Sequence, residues 1–316
     1  MGEEGRKTLF VVGCPRSGTT WVQLLLSQHP AVVTAPETQI FAYYLVHFQR
    51  QWRLEHEGPG STLQGRAGLS RLLSETDFEE LCRLTAQAVL DRIAARNPDA
   101  SVIVEKSPKH ALMADFIHRI FPDAYFLNVI RDPRDASASL MAAGRSWGAG
   151  WAPKSAIPAA RMWRDHVESA RRVRPKTERY REVFYERLQE DPAEGLRGIL
   201  EWLGIGRSSE ECEEMVRACE FEKLQKTAPG KEMPLPGGKS PKGFFRKGKV
   251  GGWRDELPAG DVRVIEHICA DLMAECGYEP ANPSPGRAPI RVPVHDAIQR
   301  VRESIDWQLE KLLYRV

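Results

Sequence analysis

The sequence predicts an α/β fold of three layers, with a central, mainly parallel sheet flanked by helices. Three observations predict it. Short, continuous apolar runs, "TLFVV", "SVIVEKSP" and "AYFLNVIRDP", read as strands buried on both faces. Stretches of helical period stand between them, the alternation expected of a sheet joined by helical crossovers. Each run ends in a polar cluster: Gly13 to Thr20, Glu105-Lys106-Ser107, and Arg131-Asp132. Sheets of this kind bind ligands beyond the carboxyl ends of their strands, so three clusters there point to one shared site.

Each element has its own signal. After the first strand, "TTWVQLLLSQHP" predicts a helix stopped before Pro30. "APETQIFAYYLVHFQRQW" predicts a second helix, and the periodicity of residues 61–97 predicts two more. "ALMADFIHRIFP" leads as a helix into the third strand, and "RDASASLMAAG" follows that strand as another. "REVFYERL" reads as a fourth strand and turn. "AEGLRGILEWLGI" and "DVRVIEHICADLMAECGY" read as amphipathic helices. Residues 1–280 are expected to form one domain, with 62–97 and 144–160 on the acceptor side of its site. Residues 281–316 are a Pro-rich linker and an amphipathic helix, packed on the domain or set at a homodimer contact.

Bulk properties narrow the class. The chain has 316 residues, enough for one large α/β domain. Its 42% apolar and 28% charged residues are those of a soluble globular protein. No run is long and apolar enough to span a membrane. "MGEEGRKTLFVVG" lacks the apolar stretch and cleavage site of a signal peptide, so a cytoplasmic protein is expected. A net charge of +2 is too mild to argue for nucleic acid. Six cysteines without C-x-x-C or zinc spacing predict reduced, buried thiols and no metal. Gly238 to Arg254 carries basic residues and no acidic ones, which suits either a solvated loop or a segment that wraps a polyanion.

The loop "GCPRSGTTW" carries the chemistry. Gly13 and Gly18 have the G-x-x-x-x-G spacing of a P-loop, but Thr19 and Thr20 stand where its Lys-Ser/Thr pair belongs. Strand, Gly-rich loop and helix N-terminus still make an anion site, because converging N–H groups and the helix dipole favour negative charge. Ser17, Thr19 and Thr20 add hydroxyls, and Arg16 adds a full charge with forked donors. Without the lysine, an ATPase or GTPase is disfavoured.

This arrangement resembles the sulfotransferases that use 3′-phosphoadenosine 5′-phosphosulfate (PAPS). Their 5′-phosphosulfate loop reads Pro-(Lys/Arg)-Ser-Gly-Thr-Thr, often followed by Trp, and here it is Pro15 to Trp21. Two more family elements occur in order. "IRDPRDASAS" supplies Arg131 and, eight residues on, Ser139; "FRKGKVGGW" supplies Phe245, Arg246, Lys247 and Gly248. The resemblance implies that both hold the 3′-phosphate, in PAPS and in its product 3′,5′-bisphosphoadenosine (PAP). Two separated basic clusters suit two separated anions. The resemblance also suggests that Trp21 stacks on adenine, with Tyr185 of "VFYERLQEDP" and Phe221 of "CEFEKL" beside the base; as core residues both would look the same.

In-line sulfuryl transfer needs an aligned acceptor, a base for its proton and neutralisation of the moving charge. Cytosolic relatives use a His after the second strand, where this chain has Pro108; His110, two residues on, is the alternative base. Tyrosylprotein and several carbohydrate sulfotransferases use a Glu about twenty residues beyond the loop's basic residue, and Glu37 stands there. Thr34-Ala35-Pro36-Glu37 also reads as a helix capping box. The resemblance gives Lys106 and Arg16 the charge-neutralising role; as a surface lysine, Lys106 would pair with Glu105. Gln39 replaces the Arg of the tyrosylprotein pattern.

The expectation is therefore a PAPS-dependent sulfotransferase acting on a hydroxyl of a small molecule or sugar, with no nucleic acid and no membrane span. The alternatives are protein-tyrosine sulfation, a kinase-like phosphotransferase, and a non-catalytic PAPS/PAP-binding protein.

Overall fold

The computed structural model describes residues 5–57, 68–220, 248–281 and 292. Five strands form one sheet in which every neighbouring pair is parallel: β1 Lys7–Gly13, β2 Val32–Thr34, β3 Val102–Lys106, β4 Tyr125–Ile130 and β5 Tyr180–Phe184. Their order is β2-β3-β1-β4-β5, so β1 lies in the middle. This is the predicted α/β, P-loop-like architecture.

Alternation along β1 divides the core. Phe10 and Val12 face one side, with Phe41, Phe126 and α3 (Glu75–Ala94). Leu9 and Val11 face the other, with α1 (Thr19–Ser27), α8 (Pro192–Trp202) and α9 (Ser209–Ala218). All four side chains are fully buried, at roughly 2–3 kcal/mol each for side chains of this size. α5 (Pro133–Gly144), α6 (Ala156–Arg171) and α11 (Ala259–Cys276) close a third cluster around Trp163. α4 (Ala114–Ile120) and α7 (Tyr185–Glu190) flank the sheet, and α10 (Trp253–Glu256) is a single turn. All six cysteines are free and buried. Among the described residues, no helix is long and apolar enough to cross a membrane.

The sequence missed β2, whose three residues are too few for a period. The helix expected from Ala35 begins only at Ile40, as a π-turn over Ile40–Leu45 that passes into α2 (Val46–Glu57). The capping box at Thr34 does not form, because Thr34 ends strand β2 and no helix starts at Ala35; its hydroxyl accepts from Gln23 Nε2 and donates to the Val104 carbonyl. Where two helices were expected in residues 61–97, the described part holds one long helix, α3, preceded by a short 3-10 turn. Its own capping box is Ser74 with Asp77. Residues 61–67 and the tail helix lie outside the described residues.

Candidate active site

The loop after β1 is shaped by two glycines. Gly13 has φ 144°, and a Cβ there would lie 2.4 Å from the Val129 carbonyl oxygen on β4. Gly18 has φ 98°, and its Cβ would lie 2.4 Å from the Tyr185 ring. Arg16 also takes positive φ, 75°. No side chain caps α1 and its first turn has no acid, so its N–H groups and dipole open towards the cleft. Arg16 Nε donates to Ser139 Oγ at 3.2 Å, and its guanidinium lies 5.3 Å from the centre of the Trp147 ring.

Arg131, at the end of β4, joins three segments. Its guanidinium donates to the carbonyls of Arg16 (3.3 Å) and Lys249 (2.9 Å), and lies 4.5 Å over the Tyr185 ring. Trp163 Nε1 donates to the Arg131 carbonyl at 2.8 Å, holding it from behind. The sequence reading passed over Asp135, one turn beyond on α5. Its carboxylate accepts the backbone N–H groups of Gly251 (2.7 Å) and Trp253 (2.8 Å) and sits 4.0 Å from Arg131. Burial pushes the Asp135 carboxyl up, and Arg131 with the two N–H groups opposes that. Its spacing from Arg131 was the available signal, since i and i+4 share a helix face. The Tyr185 hydroxyl donates to the Gly248 carbonyl at 3.0 Å, and Trp21 meets the Tyr185 ring edge to face at 5.8 Å. Phe221, Phe245, Arg246 and Lys247 lie outside the described residues.

On the other side of β1, the ends of β2 and β3 meet. Lys106 Nζ donates to Glu37 Oε1 at 2.5 Å and to Thr20 Oγ1 at 3.1 Å. Lys106 is buried, whereas the Glu37 side chain is 35% exposed and lines the cleft. Gln39 Nε2 donates to the second Glu37 oxygen at 2.6 Å.

His110 sits elsewhere. Its ring is 0% exposed and does not line the cleft. Nδ1 lies 2.8 Å from Glu105 Oε2, and Nε2 accepts the Phe41 N–H at 3.2 Å. Nε2 is engaged by the backbone, and Nδ1 is shut in against the Glu105 carboxylate. Glu105 turns inward to His110, so it is not the surface partner of Lys106 that adjacency suggested. Cys14 is buried too, and burial pushes its thiol well up, away from the nucleophilic thiolate.

A cavity of about 260 Å³ lies between the loop, the end of β4 and Glu37. Arg16, Thr19, Thr20, Glu37, Arg131 and Ser139 line it together, as the sequence proposed; so do Gly18, Trp21, Tyr185 and Gly248. Ser17 is buried just behind. Tyr43, Lys109, Trp147 and Trp151 form the rest of the wall that matters here. Two buried donors facing this region, Ser17 Oγ and Arg131 Nε, have no acceptor among the described residues. Buried donors without acceptors are costly, so both fit a bound anion. Among the described residues, no group of three His, Cys, Asp or Glu is arranged to hold a metal ion.

A parallel sheet whose strand ends converge on an anion-binding loop has the layout of a nucleotide-binding site. The chain matches the sequence pattern described as "Sulfotransferase family" over residues 8–209, more than half its length, and it belongs to that family. It is 25% identical over 298 residues to nodulation protein NoeE of Sinorhizobium fredii, covering 85% of this chain and 65% of that protein. It is 26% identical over 282 residues to a protein-tyrosine sulfotransferase of Drosophila melanogaster, covering 87% and 52%. The chain thus spans between half and two thirds of the length of these curated relatives. Mouse sulfotransferase SULT7A1, solved in complex with PAP, superimposes with a TM-score of 0.55 at 17% identity over 85% of each chain, a likeness of fold.

Proposed function

We propose that the protein is a PAPS-dependent sulfotransferase that acts by direct in-line transfer on a hydroxyl of a small-molecule or carbohydrate acceptor. The observation that carries this is Glu37, paired with the buried Lys106 and lining the same cavity as the Pro15–Thr20 loop, Arg131 and Ser139. When bound, PAPS supplies an activated sulfuryl group on its 5′-phosphate. Ser17, Thr19, Thr20 and the first N–H groups of α1 hold that phosphate. Arg131 and Ser139 hold the 3′-phosphate, with Arg246 and Lys247 proposed from sequence. Trp21 and Tyr185 flank the base. Glu37 takes the proton of the acceptor hydroxyl, and Arg16 and Lys106 offset the charge that builds on the transferring group. Glu37 is preferred over His110 because it lines the cleft and His110 does not.

Tyr43, Trp147 and Trp151 give the acceptor aromatic walls, which suits a planar small molecule or the apolar face of a sugar. Gln39 is neutral and turned to Glu37, so that position offers no charge to the acidic stretch of a peptide.

The test is transfer of label from sulfur-radiolabelled PAPS to a panel of hydroxyl acceptors, with a tyrosine-containing acidic peptide as one arm. The proposal expects turnover on at least one small molecule or sugar. It expects Glu37→Gln to lose a factor of about a hundred or more while PAP still raises the melting temperature. A larger thermal shift with ATP and magnesium than with PAP would point to phosphoryl transfer. No transfer to any acceptor, with PAP bound tightly, would leave a binding protein.

A further inference from the structure

Next to Lys106 on β3 stands Glu105, a carboxylate that the proposed reaction does not use. It is 1% exposed. A buried carboxylate is costly unless it is well satisfied, so its partners say what it is there to hold. Thr38 donates to Glu105 Oε1 twice, from its N–H at 3.3 Å and its hydroxyl at 2.7 Å. Ser107 Oγ donates to the same oxygen at 2.7 Å and itself accepts the Gln39 N–H at 3.1 Å. His110 Nδ1 lies 2.8 Å from Oε2, and Nε2 accepts the Phe41 N–H at 3.2 Å. Because Nε2 accepts, the ring's single proton sits on Nδ1 and faces Glu105. Burial pushes the Glu105 carboxyl up, and the contact with His110 and the hydroxyls of Ser107 and Thr38 pull it back down.

The backbone held this way is one that would not hold itself. Gln39 has φ 53°, a left-handed conformation that costs a non-glycine residue ~1 kcal/mol or more. Ile40–Leu45 winds as a π-turn, a rare form with little stability of its own. Glu37 lies just before this stretch, and Tyr43 within it. Glu105, Ser107 and His110 do not line the cleft.

We propose that Glu105, Ser107 and His110 are a positioning cluster that fixes the backbone of residues 38–41, so that Glu37 meets Lys106 and Tyr43 faces the acceptor. The cluster acts through Glu37 and touches neither substrate. The inference rests on the reading of Glu37 as the base.

Glu105→Gln tests it with almost no change of shape. The new amide would point its N–H₂ at the Nδ1–H of His110, or force the other tautomer, whose Nε2–H then meets the Phe41 N–H. No proton arrangement satisfies all three partners. In the full chain, hydrogen exchange at the amides of Thr38, Gln39 and Phe41 is expected to rise about tenfold or more. The dissociation constant of PAP should stay within about twofold, because the nucleotide half of the site is untouched. With the acceptor found in the screen above, kcat should fall about tenfold or more at unchanged KM for PAPS. Thr38→Val should reproduce the direction of these changes, and Thr38→Ser, which keeps the hydroxyl, should restore wild-type values. These two variants carry the test if Glu105→Gln does not fold. In a Glu37→Gln background, Glu105→Gln should cost no further turnover.

Unchanged exchange in Glu105→Gln, a loss of PAP affinity as large as the loss in kcat, or losses that simply add to those of Glu37→Gln would each overturn the proposal. Full turnover in Glu37→Gln would instead sink the base assignment, and the exchange data would still decide whether the cluster holds the segment.

Discussion

Arg131 holds the backbone oxygen of Lys249 at 2.9 Å, across 118 residues of sequence. The contact brings the end of β4 and the Gly248–Trp253 segment together over the Tyr185 ring. Arg131 Nε is a buried donor without an acceptor among the described residues. If that donor is for the 3′-phosphate, Arg131→Ala should weaken PAP by about ten- to a hundredfold, the worth of charged hydrogen bonds. AMP, which lacks the 3′-phosphate, should lose little. Titration calorimetry with both nucleotides reads the difference, and an equal loss for each would refute the assignment.

The glycines of the loop should fail in different ways. A Cβ at Gly13 meets backbone, the Val129 carbonyl on β4, and positive φ adds strain. Gly13→Ala should therefore lower the melting temperature by several degrees, roughly 2 kcal/mol or more. A Cβ at Gly18 meets the Tyr185 side chain instead. Gly18→Ala should be partly rescued in stability by Tyr185→Ala, and Gly13→Ala should not.

His166 should make the fold sensitive to acid. It is buried on α6, with Nδ1 2.6 Å from the Met162 carbonyl. Burial pushes its pKa down to about 4, with Lys109 adding in the same direction and the Met162 bond opposing. An exposed His titrates near 6.5. Between those values the unfolded chain binds a proton that the folded chain refuses. Stability is therefore full above about pH 6.5 and falls towards pH 4, by ~3 kcal/mol from this group. Urea unfolding at several pH values in that window should show a shallower fall for His166→Asn, which keeps a donor for Met162. An identical fall in both proteins would show that His166 does not cause it.

The two tryptophans after α5 should separate acceptor from donor effects. Trp151 lines the cleft and packs on Trp147 at 5.6 Å. Trp147 also lies against the Arg16 guanidinium. Trp151→Ala should raise the acceptor KM about tenfold and leave PAP affinity alone. Trp147→Ala should raise both, since a cation–π contact of roughly 0.5–1 kcal/mol is lost at Arg16 as well. Steady-state kinetics with each substrate varied would show the split, and a wild-type acceptor KM in Trp151→Ala would remove it from the acceptor wall.

Much of the site was legible because its parts sit where sequence signals are strongest. β1, β3 and β4 are buried on both faces and so read as unbroken apolar runs, and their terminal residues Gly13, Lys106 and Arg131 follow directly. β2 was not legible, since Val32–Thr34 gives no period between two prolines. That error hid why Thr34 caps no helix: it ends a strand, and the next helical turn starts only at Ile40. The inward turn of His110 was equally hidden, because it depends on Glu105 and on the Phe41 amide, 69 residues away. Asp135 was overlooked for the opposite reason. "RDPRD" reads as an ordinary charged turn until the Gly251 and Trp253 amides are seen to end on it.

The place of β1 in the sheet has a consequence for how such a site can change over time. On one side of it, β3 and the β2 end bring Lys106 and Glu37. On the other, β4 and β5 bring Arg131 and Tyr185. The two halves meet at the Gly13–Thr20 loop and share a core, in which Phe126 of β4 packs with Phe10 and Phe41. The acceptor walls come from both halves, Tyr43 from the β2 side and Trp147 and Trp151 from the segment after α5, so a change of hydroxyl preference draws on both. Grafting a new acceptor preference onto this chain therefore means exchanging two segments that reach the cleft from opposite sides of β1.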